Sequence, residues 1–162
     1  MGKSMLAEGI TGAPGGGLVS PGDVPPPDKP WPAPYPLSKI VKRTASPKRV
    51  LIVEDNLDSV HSLALLVADM GHTVDYAING YVALEVARRF RPDFVLLDLA
   101  LPGMDGFEVS TRITQIPELA HTRLIALTAF GQDEYRVRSL AAGCELHVVK
   151  PVPIWLLEEL LG

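Results

Sequence analysis

From Val50 onward, short continuous apolar runs alternate with stretches whose apolar residues recur at helical spacing, and the alternation repeats five times. That rhythm predicts β-α units around a parallel sheet. Val50–Val53 is apolar throughout, as a strand buried on both faces requires. Val60, Leu63, Ala64 and Val67 fall at i, i+3, i+4 and i+7, which predicts a helix capped at Asp58 or Ser59 and stopped at Gly71. His72–Tyr76 reads as a second strand. Ala83, Val86, Ala87 and Phe90 give the next helical stripe, between Asn79-Gly80 and Pro92. Phe94–Leu97 is a third strand running into Asp98. The loop Leu101-Pro102-Gly103 leads to a helix with Val109, Ile113 and Ile116, ended by Pro117. Leu124–Leu127 leads into Thr128, and a weaker helix around Val137, Leu140 and Ala141 stops at Gly143. Leu146–Val149 is the fifth strand, ahead of Lys150-Pro151. A last helix opens near Pro153 and carries Ile154, Leu157 and Leu161.

Composition divides the chain in two. Residues 1–48 hold 10 of the 15 Pro and 7 of the 14 Gly and show no apolar period, so they read as a flexible tail or linker. Within it, Val24–Pro36 favours an extended polyproline conformation, with Trp31 and Tyr35 as candidate docking side chains and a spacer as the simpler reading. Residues 49–162 are long enough to bury a core without staples. The tail carries 6 basic against 3 acidic residues and the remainder 9 against 16. An acidic domain disfavours nucleic acid as a direct partner. Lys39, Lys42, Arg43, Lys48 and Arg49 form a thin basic cluster that reads as a solvated run. The single cysteine, Cys144, has no internal partner and reads as a small buried side chain, and His61, His72 and His121 lack metal-ligand spacing. With no apolar run of membrane-spanning length and no secretory leader, a cytoplasmic location is expected.

In open parallel α/β sheets, ligands bind beyond the carboxyl ends of the strands. The residues at those ends are Glu54-Asp55, Asp98, Thr128 and Lys150. In the strand order 2-1-3-4-5, the first and third strands adjoin, which makes Asp55 and Asp98 neighbours. Carboxylates brought this close repel unless they share a proton or a cation. An all-oxygen donor set favours Mg²⁺, with Mn²⁺ possible, over zinc. Held by Asp55 and Asp98, with water or Glu54 completing the shell, such an ion would neutralise an incoming phosphate. Asp98 could then attack phosphorus while Lys150 and the Thr128 hydroxyl hold phosphoryl oxygens, and the product would be an aspartyl phosphate.

The pattern resembles the receiver domain of two-component response regulators over residues 49–162. The resemblance rests on Val50-Leu-Ile-Val-Glu-Asp-Asn56, Val95-Leu-Leu-Asp-Leu-Ala-Leu-Pro-Gly-Met-Asp-Gly106, Leu124-Ile-Ala-Leu-Thr-Ala129 and Gly143-Cys-Glu-Leu-His-Val-Val-Lys-Pro151. It implies a flavodoxin-like, doubly wound, five-stranded parallel sheet of order 2-1-3-4-5 with helices on both faces. It also implies Asp98 as phosphoacceptor, Glu54 and Asp55 as the acidic pair, Ala100 as a metal ligand through its carbonyl, Thr128 as switch hydroxyl and Lys150 as the family's lysine. The partners it implies are a sensor histidine kinase or histidine phosphotransfer protein and a downstream protein target.

Two departures alter the expectation. His147 stands where the family commonly has Tyr or Phe, so a switch built on Thr128 and His147 is expected to respond to pH. Ala100 and Phe130, two residues after the aspartate and the threonine, are apolar and cannot position an attacking water, which predicts a long-lived acyl phosphate. The chain stops at Gly162 after the last helix, so output is expected by protein contact through residues 128–161 rather than through a following domain. A start Met fits a free-standing receiver. The Pro-rich arm and the wording His147-Val-Val-Lys-Pro-Val152 fit the terminal receiver of a hybrid histidine kinase. A phosphatase of the haloacid dehalogenase type would need a second Asp two after the nucleophile, where this chain has Ala100, so no enzymatic turnover is expected. A receiver-like interaction module without phosphorylation is the remaining alternative.

Overall fold

The computed structural model describes residues 46–162. The Pro-rich stretch with Trp31 and Tyr35, and the basic residues Lys39, Lys42 and Arg43, lie outside the described residues. The elements alternate without exception: β1 (Arg49–Val53), α1 (Leu57–Asp69), β2 (Thr73–Ala77), α2 (Gly80–Phe90), β3 (Phe94–Asp98), α3 (Gly106–Thr114), a 3-10 turn (Pro117–Leu119), β4 (Arg123–Thr128), α4 (Asp133–Ala141), β5 (Leu146–Val149) and α5 (Ile154–Leu161). All five strands pair in parallel in the order β2-β1-β3-β4-β5.

Side chains alternate across a strand, so each central strand feeds two cores. Leu51 and Val53 of β1, Val95 and Leu97 of β3, and Leu124 and Ala126 of β4 pack with α2 and α3 residues such as Ala83, Ala87, Val109 and Ile113. Val50, Ile52, Phe94, Leu96, Ile125 and Leu127 pack instead with Val60 and Val67 of α1 and Leu157 and Leu161 of α5. Continuous apolar runs were the right signal here because both faces are covered.

Several local expectations shift. The α1 cap is Asn56, whose side chain accepts from the Ser59 N–H, not Asp58 or Ser59. An Asn that ends the Glu-Asp-Asn run thus starts the helix earlier than the apolar stripe suggests. β2 begins at Thr73 rather than His72. His72 is buried in the turn before it, with Nδ1 accepting from the Lys48 N–H at 3.1 Å and Nε2 without a partner. α3 ends before Ile116, and Pro117 opens the 3-10 turn rather than simply stopping the chain's helical path. The expected apolar face of α4 is outward: Val137 is 67% and Leu140 44% exposed, while the buried residue is Ser139. In α5, Leu157 and Leu161 are buried as the spacing implies, but Ile154 is exposed. Gly143 closes α4 with φ +100, a backbone that only glycine adopts easily, and a Cβ there would lie 2.5 Å from Thr114 Cγ2.

Candidate functional site

The carboxyl ends of four strands set the site. Glu54 follows β1, Asp98 ends β3, Thr128 ends β4 and Lys150 follows β5. Carboxylate oxygens of Glu54, Asp55 and Asp98 all lie within 4.8 Å of one another. Glu54 and Asp98 are buried and Asp55 is exposed, so one carboxylate of the three faces solvent. The sequence expectation that adjacent strands bring Asp55 and Asp98 together is met.

Lys150 spans the inner pair: its Nζ donates to Glu54 Oε2 and, at 3.0 Å, to Asp98 Oδ2. Burial works to lower the Lys150 pKa, but the hydrogen bonds and charges of Glu54 and Asp98 outweigh it and hold the ammonium above its ordinary 10.5. The positive charge is therefore secure at any physiological pH. The other Asp98 oxygen, Oδ1, accepts from the Ala100 N–H at 2.9 Å, and Glu54 Oε1 accepts from the Asn56 N–H at 3.2 Å. Each inner carboxylate is thus fixed from two sides.

Glycine permits the tight approach beneath Asp98. Gly106 starts α3 and donates its N–H to Leu99 O at 3.1 Å. A Cβ at Gly106 would collide with the Asp98 carbonyl oxygen and lie 2.6 Å from Leu99 Cα, so α3 can pack on the end of β3 only with glycine there. Asp105 caps α3 by accepting from the Glu108 N–H at 2.8 Å, and its other oxygen accepts from Arg138 of α4 at 3.3 Å.

Thr128 and His147 do not join the carboxylates directly. Thr128 is fully buried, and among the described residues its hydroxyl oxygen has one partner, the Phe130 N–H at 3.1 Å. His147 is half-buried, with Nε2 2.9 Å from Phe130 O and Nδ1 3.0 Å from Ser139 Oγ. Sequence reading passed over Asn56, Gly106 and Ser139. The first two have local signals, an Asn before a helix and a Gly after an Asp cap. Ser139 has none, because its role depends on how α4 is rotated. Cys144 is buried against Ser110, and burial raises its thiol pKa although the Ser110 hydrogen bond works to lower it, so it stays an inert thiol.

The donor set around Asp98 consists of hard carboxylate oxygens without sulfur or imidazole, and it carries more negative charge than Lys150 neutralises. Both features fit Mg²⁺. A cavity of about 490 Å³ opens beside this cluster, lined on its apolar side by Leu63, Leu66, Leu96, Leu127 and Leu157.

Residues 50–161 match the family model of the response regulator receiver domain. The chain belongs to the response regulator receiver family. It is similar to the polar-differentiation response regulator DivK of Brucella anthropi, 39% identical over 110 residues that cover 67% of this chain and 88% of the relative. DivK of Brucella ovis is 37% identical over 109 residues, with 66% and 87% covered. Among solved structures, the receiver domain of the DNA-binding response regulator merR of Colwellia psychrerythraea is 31% identical with a TM-score of 0.66, covering 70% of this chain and 94% of that one. The receiver domain of the sensor histidine kinase PA1611 of Pseudomonas aeruginosa, solved with a magnesium ion coordinated in its active site cleft, is 28% identical with a TM-score of 0.66, covering 72% and 95%. The sheet order of this receiver is the flavodoxin-like one expected, and the chain is a receiver domain of two-component systems. Among the described residues, no helix is long and apolar enough to cross a membrane.

Proposed function

We propose that this receiver accepts a phosphoryl group onto Asp98 from a phosphohistidine on a sensor kinase or phosphotransfer protein. The observation that carries the reading is the buried Asp98 carboxylate held between Lys150 and the Ala100 N–H beside two further acidic residues. A carboxylate fixed in this way is oriented for attack without further ordering. The donor's P–N bond breaks, a P–O bond to Asp98 forms, and the donor imidazole leaves with a proton on its ring. Lys150 pairs with a phosphoryl oxygen, and the Thr128 hydroxyl donates to another.

Glu54, Asp55, Asp98 and the Ala100 carbonyl would hold Mg²⁺, Mn²⁺ being the alternative. When bound, a divalent ion supplies positive charge against the phosphoryl oxygens. Residues 1–48 serve as a tail or linker and 49–162 as the receiver, a division supported by a family match that starts at residue 50. A cytoplasmic location fits work with a kinase and a protein target. Thr128 and His147 form the switch pair. Output leaves by protein contact through residues 128–161, where Val137, Leu140, Val149, Ile154 and Trp155 are exposed.

The test is intact mass after incubation of the full chain with Mg²⁺ and acetyl phosphate. One added phosphoryl group is expected, absent in Asp98→Asn and with a chelator. An adduct that persists in Asp98→Asn would assign the acceptor elsewhere. With apolar Ala100 and Phe130 flanking the site, the adduct is expected to outlive seconds; decay within seconds would count against that part.

A further inference from the structure

β2 ends the sheet on one side and pairs only with β1 among the described residues. Two hydrogen bonds fix which way its backbone groups face. The Thr73 N–H donates to Lys48 O at 2.8 Å, and Ala77 O accepts from the Glu54 N–H at 3.0 Å. Backbone groups alternate between the two edges of a strand, so Thr73, Asp75 and Ala77 present theirs to β1 while Val74 and Tyr76 present theirs outward. Unpaired outward groups on an edge strand are a template for another strand.

One of the two outward N–H groups is covered from within the strand. The Tyr76 N–H donates to Oδ1 of Asp75 at 2.9 Å, and Oδ2 of the same carboxylate accepts from the Arg89 guanidinium of α2 at 3.1 Å. Asp75 is in register with Leu51, whose side chain packs on the α2 side of the sheet, so α2 is placed to hold the carboxylate there. The strand that would fit this edge is β2 of a second copy. In an antiparallel two-fold pair centred on Asp75, Val74 of each chain would exchange both of its hydrogen bonds with Tyr76 of the other. That pairing needs the Tyr76 N–H that Asp75 occupies. It would also set the two Asp75 side chains directly opposite each other, an unfavourable like-charge contact.

We propose that Asp75, held by Arg89, closes the β2 edge against pairing with β2 of a second copy of this chain. Closure of the edge is independent of phosphoryl acceptance at Asp98. Asp75→Val suits a strand, removes the acceptor and removes the charge, so it opens the edge. Asp75→Asn keeps an acceptor oxygen on the same short stem and loses only the charge, so the Tyr76 N–H stays covered. Tyr76→Pro deletes an outward N–H without touching the bonds to β1, as an edge strand tolerates.

The experiment measures the mass of the full chain by sedimentation equilibrium, from micromolar to near-millimolar concentration, for wild type, Tyr76→Pro, Asp75→Val, Asp75→Asn and the double variant Asp75→Val with Tyr76→Pro. Each is first checked for cooperative unfolding, and Asp75→Ala replaces Asp75→Val if the latter does not fold. At the highest concentration Asp75→Val is expected at about twice the wild-type mass. Asp75→Asn and the double variant are expected at the wild-type mass. In dilute solution the Tyr76 amide of Asp75→Val exchanges faster than that of wild type by about threefold to tenfold, as loss of one hydrogen bond predicts. An Asp75→Val mass equal to wild type overturns the closure. A doubled mass that survives Tyr76→Pro places the contact elsewhere and overturns it too. Doubling in Asp75→Asn, or unchanged Tyr76 exchange in Asp75→Val, overturns the masking of the N–H. A wild-type mass that Tyr76→Pro alone lowers shows that the edge is already open, which contradicts the proposal.

Discussion

The centre of the sheet and its β5 edge are built differently. In β1 and β3, every residue from Val50 to Val53 and from Phe94 to Asp98 is buried, and both faces are covered by helices. At the edge, no residue of β5 is fully buried, and α4 buries only Ser139. The acidic cluster lies at the ends of the first region's strands, and His147, with its partner Ser139, belongs to the second. Chemistry that needs fixed geometry thus sits on the best-packed strands, and the part that would respond to it sits where few buried apolar contacts resist movement.

The largest expected contrast comes from one truncation in each region. Leu96→Ala in β3 should cost about 2–5 kcal/mol by loss of buried methyl groups and a residual cavity. Val137→Ser on the exposed face of α4 should stay within about 0.5 kcal/mol. Urea unfolding of the two variants checks this, and comparable losses would dissolve the distinction. Gly106→Ala comes next, at roughly 1–3 kcal/mol, because overpacking against the Asp98 carbonyl forces α3 away from β3. Its adduct formation should fall with stability, and a normal rate would mean that the site tolerates a displaced α3.

Asn79→Ala removes the cap that accepts from the Val82 N–H at 2.9 Å and should cost about 1 kcal/mol without touching phosphoryl acceptance. The smallest effect concerns pH. Burial, and then the Lys48 charge, hold the His72 imidazole below its ordinary 6.5. The unfolded chain therefore binds this proton first, so the stability His72 contributes is present above about pH 6.5 and fades as pH falls below it. Urea midpoints of wild type should drop more between about pH 7.5 and about pH 5 than those of His72→Phe. Parallel drops would remove His72 from the acid response.

The same contrast explains what could be read from the sequence. Strands buried on both faces announce themselves as unbroken apolar runs, so β1, β3 and β4 and the residues at their ends were legible, and with them Glu54, Asp55, Asp98 and Thr128. The α4 face was not, because Val137 and Leu140 have the spacing of a core stripe yet point outward. A helix that covers a half-buried edge strand needs little apolar surface, and its rotation follows contacts such as Ser139 with His147 and Arg138 with Asp105. Those pairings join residues from different elements, and no local pattern encodes them. The cap at Asn56 was hidden for another reason: it ends the acidic run and does double duty beside Glu54.

Amide hydrogen exchange across the full chain, with and without Mg²⁺ and acetyl phosphate, tests the division of labour most directly. The account predicts altered protection confined to residues 128–161, none in β1 or β3, and no change at all in Asp98→Asn. A change spread evenly over the sheet, or one that survives Asp98→Asn, would contradict it.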